Sequence, residues 1–326
     1  MDVAAFCAES RVVIVAGKGG VGKTTMVAAL ARMAADAGLS VLVVELEGKA
    51  GLATALGGAG TDPLGYDEAV LHEAPGGGVV RGRRLTPDDA LLEYLGDHGL
   101  QRVSKRLVSS GVLDVVATAI PGIRDVLVLG KVKQLERAEV ADLVLVDAPA
   151  TGHAMTFLTS AGGLLDATRG GPVRSQAEEV VELLTDPARC RVVLVTLPEE
   201  MPVSETVEAG YQLEDRAGVQ LGPVIVNGWD EVPGALSTAT AQAAETAGVD
   251  LDDRQLQALE DARQFRVHRH RLAEEQVDRL ARELPLPQLR TPVLAEAVIG
   301  PDDVGILARA LADGVGRLEP AAEGTS

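Results

Sequence analysis

The stretch Gly17-Lys18-Gly19-Gly20-Val21-Gly22-Lys23-Thr24-Thr25 constrains this chain more than any other, because it separates an apolar run, Val12 to Ala16, from an alanine-rich helical pattern, Thr25 to Ala37. A strand, a glycine loop and a helix in that order satisfy the GxxxxGK[ST] spacing of a phosphate-binding loop. The reason is physical. A polyphosphate carries closely spaced negative charge and needs backbone N–H groups that approach without Cβ obstruction, which Gly17, Gly19, Gly20 and Gly22 permit around Val21. The following helix aims its positive end at the same point. Lys23 is expected to reach the β- and γ-phosphates, the Thr24 hydroxyl to coordinate Mg²⁺ and Thr25 to help hold the α-phosphate, so the loop specifies an ATP–Mg²⁺ site. The chain has six lysines against 24 arginines, and two of the six sit here. Lys18 is not required to cradle phosphate, and its charge would be repelled by Lys23. An uncompensated second cation in the loop suggests a second task.

Further short apolar runs at Val41 to Glu45, Leu143 to Asp147, Val192 to Leu197 and Pro223 to Asn227 alternate with helical patterns, and an extended run at Pro287 to Leu294 adds another strand. Strands alternating with helices predict a P-loop α/β fold, a mainly parallel sheet flanked by helices. Thr86-Pro87-Asp88-Asp89 starts a helical stretch that breaks the alternation, so a helical subdomain is expected as an insertion at about 85–139. The organisation is then a single domain over 1–318 with a loose tail at 319–326. Aromatic residues make up only 2% of the chain against 46% apolar, so the core must be built from Ala, Val and Leu.

The formal charge of −18 argues against nucleic acid and against an anionic membrane surface as partner. No stretch reaches the ~18 uncharged apolar residues of a spanning helix, so no integral membrane segment is expected. Cys7 and Cys190 form neither a CxxC pair nor a disulfide framework, for which a reducing cytoplasm is the simplest setting.

The string KGGVGKTT resembles the deviant Walker A group of the nitrogenase iron protein, MinD, ParA and the arsenical-pump ATPases. There the first lysine reaches across a dimer interface to the partner's nucleotide, which the resemblance implies for Lys18. Asp147-Ala-Pro-Ala-Thr-Gly152-His153 is similar to a segment of the arsenical-pump and tail-anchored-protein-targeting ATPases. In that family Asp147 would hold Mg²⁺ through water, and Gly152 and His153 would sense the γ-phosphate as a switch. Pro198-Glu199 with the downstream pair Glu205-Thr206, the strand ending in Asn227, and Arg290-Thr-Pro292 with Gly300 resemble later family segments, Asn227 reading adenine and Pro292 lying against the base. A helix cap for Asp147, a structural histidine for His153, a turn former for Asn227 and a loop proline for Pro292 are the competing readings. The resemblance runs in family order from Arg11 to about Gly300 and implies an ATPase that works as a homodimer or as a heterodimer with a paralogous ATPase, with a protein client at the insertion.

The chain also departs from that family. Its switch I falls on Glu47 to Thr54, where the first acid survives as Glu47, either catalytic or a solvated strand-end acid, and the water-positioning acid has become Thr54. Hydrolysis is therefore expected to be slow in isolation, or to borrow a group. An ATP-binding subunit beside a catalytically complete paralogue, and a MinD- or ParA-like positioning protein, stand as alternatives. No cysteine falls in the insertion to bind arsenite, the CxxC zinc clamp is absent, and none of the five methionines lies between Leu85 and Glu139 to line a client groove. The basic run Arg263 to Arg271 reads as a solvated helix face rather than a His268/His270 metal pair.

Overall fold

A computed structural model describes residues 1–46, 51–58, 63–97, 122–231 and 234–318. Glu47, the middle of the expected insertion (98–121) and the tail 319–326 lie outside the described residues. The chain opens with α1 (Val3–Ala8), then β1 (Val12–Gly17), α2 (Lys23–Asp36), β2 (Ser40–Leu46) and the short α3 (Leu52–Leu56). β3 (Ala69–Glu73), β4 (Val79–Leu85), α4 (Pro87–Asp97) and α5 (Ile123–Arg137) follow. β5 (Leu143–Ala150), α6 (Thr151–Ala167), α7 (Pro172–Thr185), β6 (Cys190–Thr196) and α8 (Glu200–Gln212) come next. β7 (Val224–Trp229), α9 (Thr240–Ala247), α10 (Asp253–Glu283), β8 (Gln288–Pro292) and α11 (Pro301–Gly316) complete it.

The eight strands form one sheet in the order β3-β4-β2-β5-β1-β6-β7-β8. Every pairing is parallel except that of β3 with β4, so the fold is an α/β P-loop architecture. Near-continuous apolar strands are what such a sheet needs, because helices cover both of its faces. On one face α2 packs Met26, Val27 and Leu30 beside Val304, Leu307 and Leu311 of α11. On the other, Val126 and Leu129 of α5, Phe157 and Leu158 of α6, Leu183 of α7 and Leu280 of α10 form the second core. Helix α5, within the stretch read as an insertion, thus belongs to the main core, and α4 packs on it through Ala90.

The β3–β4 hairpin was not legible as strands, because Val79 to Leu85 contains three arginines. The structure gives two of them partners. Arg81 donates to Glu68 at 2.6 Å and to the carbonyl of Val140, and Arg83 stacks over the Tyr66 ring at 4.4 Å. The Gly76–Gly78 turn connects the two strands. At the opposite edge β8 is only five residues long, is preceded by Pro285 and Pro287 and ends on Pro292, which discourages pairing with further strands.

Candidate nucleotide site

β1 lies in the middle of the sheet between β5 and β6, and its C-terminal end opens into the glycine loop. Two glycines there are dictated by geometry. Gly17 has φ +156° and a Cβ would meet the Val195 carbonyl oxygen at 2.3 Å, while Gly22 has φ +90° and a Cβ would meet the Asn227 amide nitrogen at 2.5 Å. Gly19 and Gly20 are exposed at the loop's outer side, and Val21 is buried beneath it. Helices α2, α6 and α8 all start just beyond the ends of neighbouring strands, and none of the three N-termini carries a side-chain cap. Helix α2 begins at Lys23 directly from the loop, so its uncapped N-terminus and positive end point at the loop, which favours a bound anion there.

Lys23 is buried at 7% exposure and its ammonium donates to the Lys18 carbonyl at 2.9 Å, so the side chain curls back over the loop it belongs to. The Thr24 hydroxyl donates to Oδ2 of Asp147 at 2.7 Å, while Thr25 occupies the next position of α2. Asp147 is fully buried near the end of β5, in register with Val15 of β1 and with Glu45 of β2, which is equally buried. Val43 and Leu145, two residues before these acids, lie in the core beneath α2, so Glu45 and Asp147 project to the same side as Thr24. Hydroxyl and carboxylate oxygens are the hard ligands that Mg²⁺ prefers, so Thr24 and Asp147 fit that ion. Among the described residues no group of three or more His, Cys, Asp or Glu side chains could hold a metal by itself, as suits an ion that arrives with phosphate.

Lys18 corrects the expectation of an uncompensated charge. Its Nζ lies 2.5 Å from Oε1 of Glu205 on α8, in an ion pair about one third exposed on each side. Gly152 and His153 are exposed in the first turn of α6, directly after β5, and Gly152 is open enough to accept a Cβ. Thr54 is exposed on α3. Asn227 has both ends of its amide engaged: Nδ2 donates to the Val21 carbonyl at 2.9 Å and Oδ1 accepts from the Thr291 hydroxyl at 3.0 Å. It ties the phosphate loop to β8, and reading a base would mean exchanging one of these bonds. Pro292 sits opposite Trp229 and lines a cleft of about 700 Å³, where the Arg290 guanidinium stacks over the Trp229 ring at 4.3 Å. His270 meets the Trp229 edge at 5.2 Å and contacts the Asp230 carbonyl through Nδ1, apart from His268.

The sequence reading passed over Glu45 and Thr291. The signal for the first was present, since Glu45 interrupts an otherwise apolar strand, Val-Val-Glu-Leu, and a charge inside such a run is rarely structural filler.

Comparison with known proteins agrees with this geometry. Residues 12–252 match the family described as the CobQ/CobB/MinD/ParA nucleotide binding domain. The chain is 38% identical to the ATPase BagA of Mycobacterium tuberculosis over 251 residues, 74% of this chain and 71% of that protein. It is 32% identical to an arsenical pump-driving ATPase of Escherichia coli over 228 residues, and 28% identical to one of Acidiphilium multivorum over 240. Those two alignments take in 67% and 73% of this chain but only 35% and 38% of the longer proteins.

Proposed function

The chain belongs to the CobQ/CobB/MinD/ParA nucleotide-binding family, and from that premise we propose that it is an arsenical-pump-like ATPase that binds ATP–Mg²⁺ at the loop and acts as a dimeric conformational switch. The observation that carries this reading is the Thr24–Asp147 hydrogen bond at the loop's mouth, a hydroxyl and a buried carboxylate aligned where a phosphate-bound cation belongs. Bound there, Mg²⁺ would neutralise charge on the phosphate oxygens. The protein's own share is positioning. Loop N–H groups and the α2 N-terminus hold the phosphates, Lys23 supplies a mobile positive charge, and Asn227 keeps the loop fixed against β8.

In this reading Lys18 leaves Glu205 and reaches the nucleotide of a second chain, so turnover requires two chains. Gly152 and His153, in the first turn of α6, register whether the γ-phosphate is present, and Glu47 contributes from switch I. In this reading the chain acts in the reducing cytoplasm. A second reading, a subunit that holds ATP while a paralogous chain completes the water-activating machinery, is favoured by Thr54 standing where an acid is expected. A MinD- or ParA-like positioning role is less favoured, because α11 buries Val304, Leu307, Leu311 and Val315 against the body instead of offering a basic face.

Steady-state ATP turnover per chain, measured against chain concentration, tests the proposal. Turnover that rises with concentration and disappears in Lys18→Ala supports it. Turnover per chain that is independent of concentration and indifferent to Lys18 would falsify the dimeric switch, and no turnover at any concentration would favour the second reading.

A further inference from the structure

Helix α10 carries an apolar stripe that nothing among the described residues covers. From residue 253 to residue 272 no side chain is buried, whereas Val277 and Leu280 farther along are anchored in the core. The inner face of the projecting half is occupied by the connection from β7. Glu260 accepts from the Thr240 hydroxyl at 2.8 Å, Arg263 donates to the Leu236 carbonyl at 2.8 Å, and Arg266 pairs with Asp230 at 2.8 Å. The outer face repeats Ala258, Phe265 and Leu272 at intervals of seven, with Ala262 beside them. Phe265 is 62% exposed and Leu272 43%, in a chain with only three phenylalanines. Apolar residues seven apart share one face of a helix, and with Ala262 between the first two they form part of an a/d seam, the kind of face by which one helix packs on another.

We propose that this stripe is an interface with a second copy of the chain, the two α10 helices lying antiparallel about Phe265. In that register Phe265 meets its own counterpart, and Leu272 of each copy meets the small Ala258 of the other. Asp261 then faces Arg269 of the other copy, and the two-fold axis makes that pair occur twice. Parallel packing in register would instead set Asp261 against Asp261 and Arg269 against Arg269, so charge selects the antiparallel arrangement. Arg269 already lies over the Phe265 ring, 6.0 Å from its centre, at the rim of the stripe.

The geometry agrees with the site. His270 marks the level of the strand ends, because it packs on Trp229 at the end of β7. In the antiparallel pair the two His270 residues stand ten residues apart along the helices, about 15 Å. The ends of the two β7 strands then lie about 15 Å apart along the helix direction, a spacing that leaves room for nucleotide between the two copies. The inference takes its second copy from the dimeric reading above.

Sedimentation velocity of the full chain with ATP–Mg²⁺, paired with nucleotide binding to each variant, tests it. The wild type is expected to dimerise, and Phe265→Asp and Leu272→Asp to weaken association ~30-fold or more while each chain still binds ATP. Asp261→Arg or Arg269→Asp alone should weaken it as well, and the Asp261→Arg/Arg269→Asp double variant should restore it, a recovery that misfolding does not mimic. Dimerisation of every variant with wild-type affinity would overturn the helix interface and leave the dimeric reading intact. A wild type that stays monomeric at all concentrations with ATP–Mg²⁺ would overturn both.

Discussion

The Lys18 ammonium and the Glu205 carboxylate, 187 positions apart in the chain, meet at 2.5 Å beside the phosphate loop. Each is about one third exposed, so the pair is a modest one, worth ~1 kcal/mol at most. Glu205→Gln should leave thermal stability nearly unchanged. If Lys18 serves a second chain, the same substitution should strengthen ATP-dependent association, by no more than about fivefold. A large loss of stability would show instead that the pair is a structural fastener.

The contact between Thr24 and Asp147 predicts a metal-dependent phenotype. Thr24→Val and Asp147→Asn should each weaken Mg²⁺-dependent ATP binding by about 10- to 100-fold. Binding measured in EDTA should hardly distinguish these variants from wild type. Equal losses with and without Mg²⁺ would remove both residues from the cation's environment.

Gly22 is held at φ +90° with the Asn227 amide directly behind it. Gly22→Ala should cost ~1–3 kcal/mol, read from chemical unfolding, and should weaken nucleotide binding as the loop shifts. Asn227→Ala opens the space and removes the tie to the Val21 carbonyl, so the double variant should lose less than the sum of the single ones.

Burial pushes both thiols up, Cys7 and Cys190 each to about 12 from an ordinary value of 9.0. The folded chain therefore retains two protons that the unfolded chain releases above pH 9. Stability from this source is complete below pH 9 and declines as pH rises towards 12. Neither cysteine should react with a thiol reagent at pH 8 until the protein unfolds, and labelling of the native chain at the rate of a free thiol would contradict the burial of both.

The phosphate loop and the parallel strands were legible because local chemistry specifies them: glycine spacing, a buried run before it and a helix after it. Five of the expected strands appear within a residue or two of their expected bounds, as in Cys190–Thr196 and Val224–Trp229. The β3–β4 hairpin was not legible, since Arg81 and Arg83 look like loop residues until Glu68, the Val140 carbonyl and the Tyr66 ring are brought to them by tertiary packing. The partner of Lys18 escaped for the same reason. Glu205 was visible in the family-like Glu205-Thr206 pair, but only the packing of α8 on β6, the strand next to β1, brings its carboxylate to the loop. Asn227 was read for a ligand, and the structure shows its amide first of all fastening protein to protein.

Titration calorimetry of ATP–Mg²⁺ against the wild type and Lys23→Ala tests the central claim most directly. One ATP per chain for the wild type, with affinity reduced about 100-fold in Lys23→Ala, is the predicted result, since the variant loses a charge-assisted contact to phosphate. Unchanged ATP affinity in Lys23→Ala would contradict the assignment of this loop as the nucleotide site.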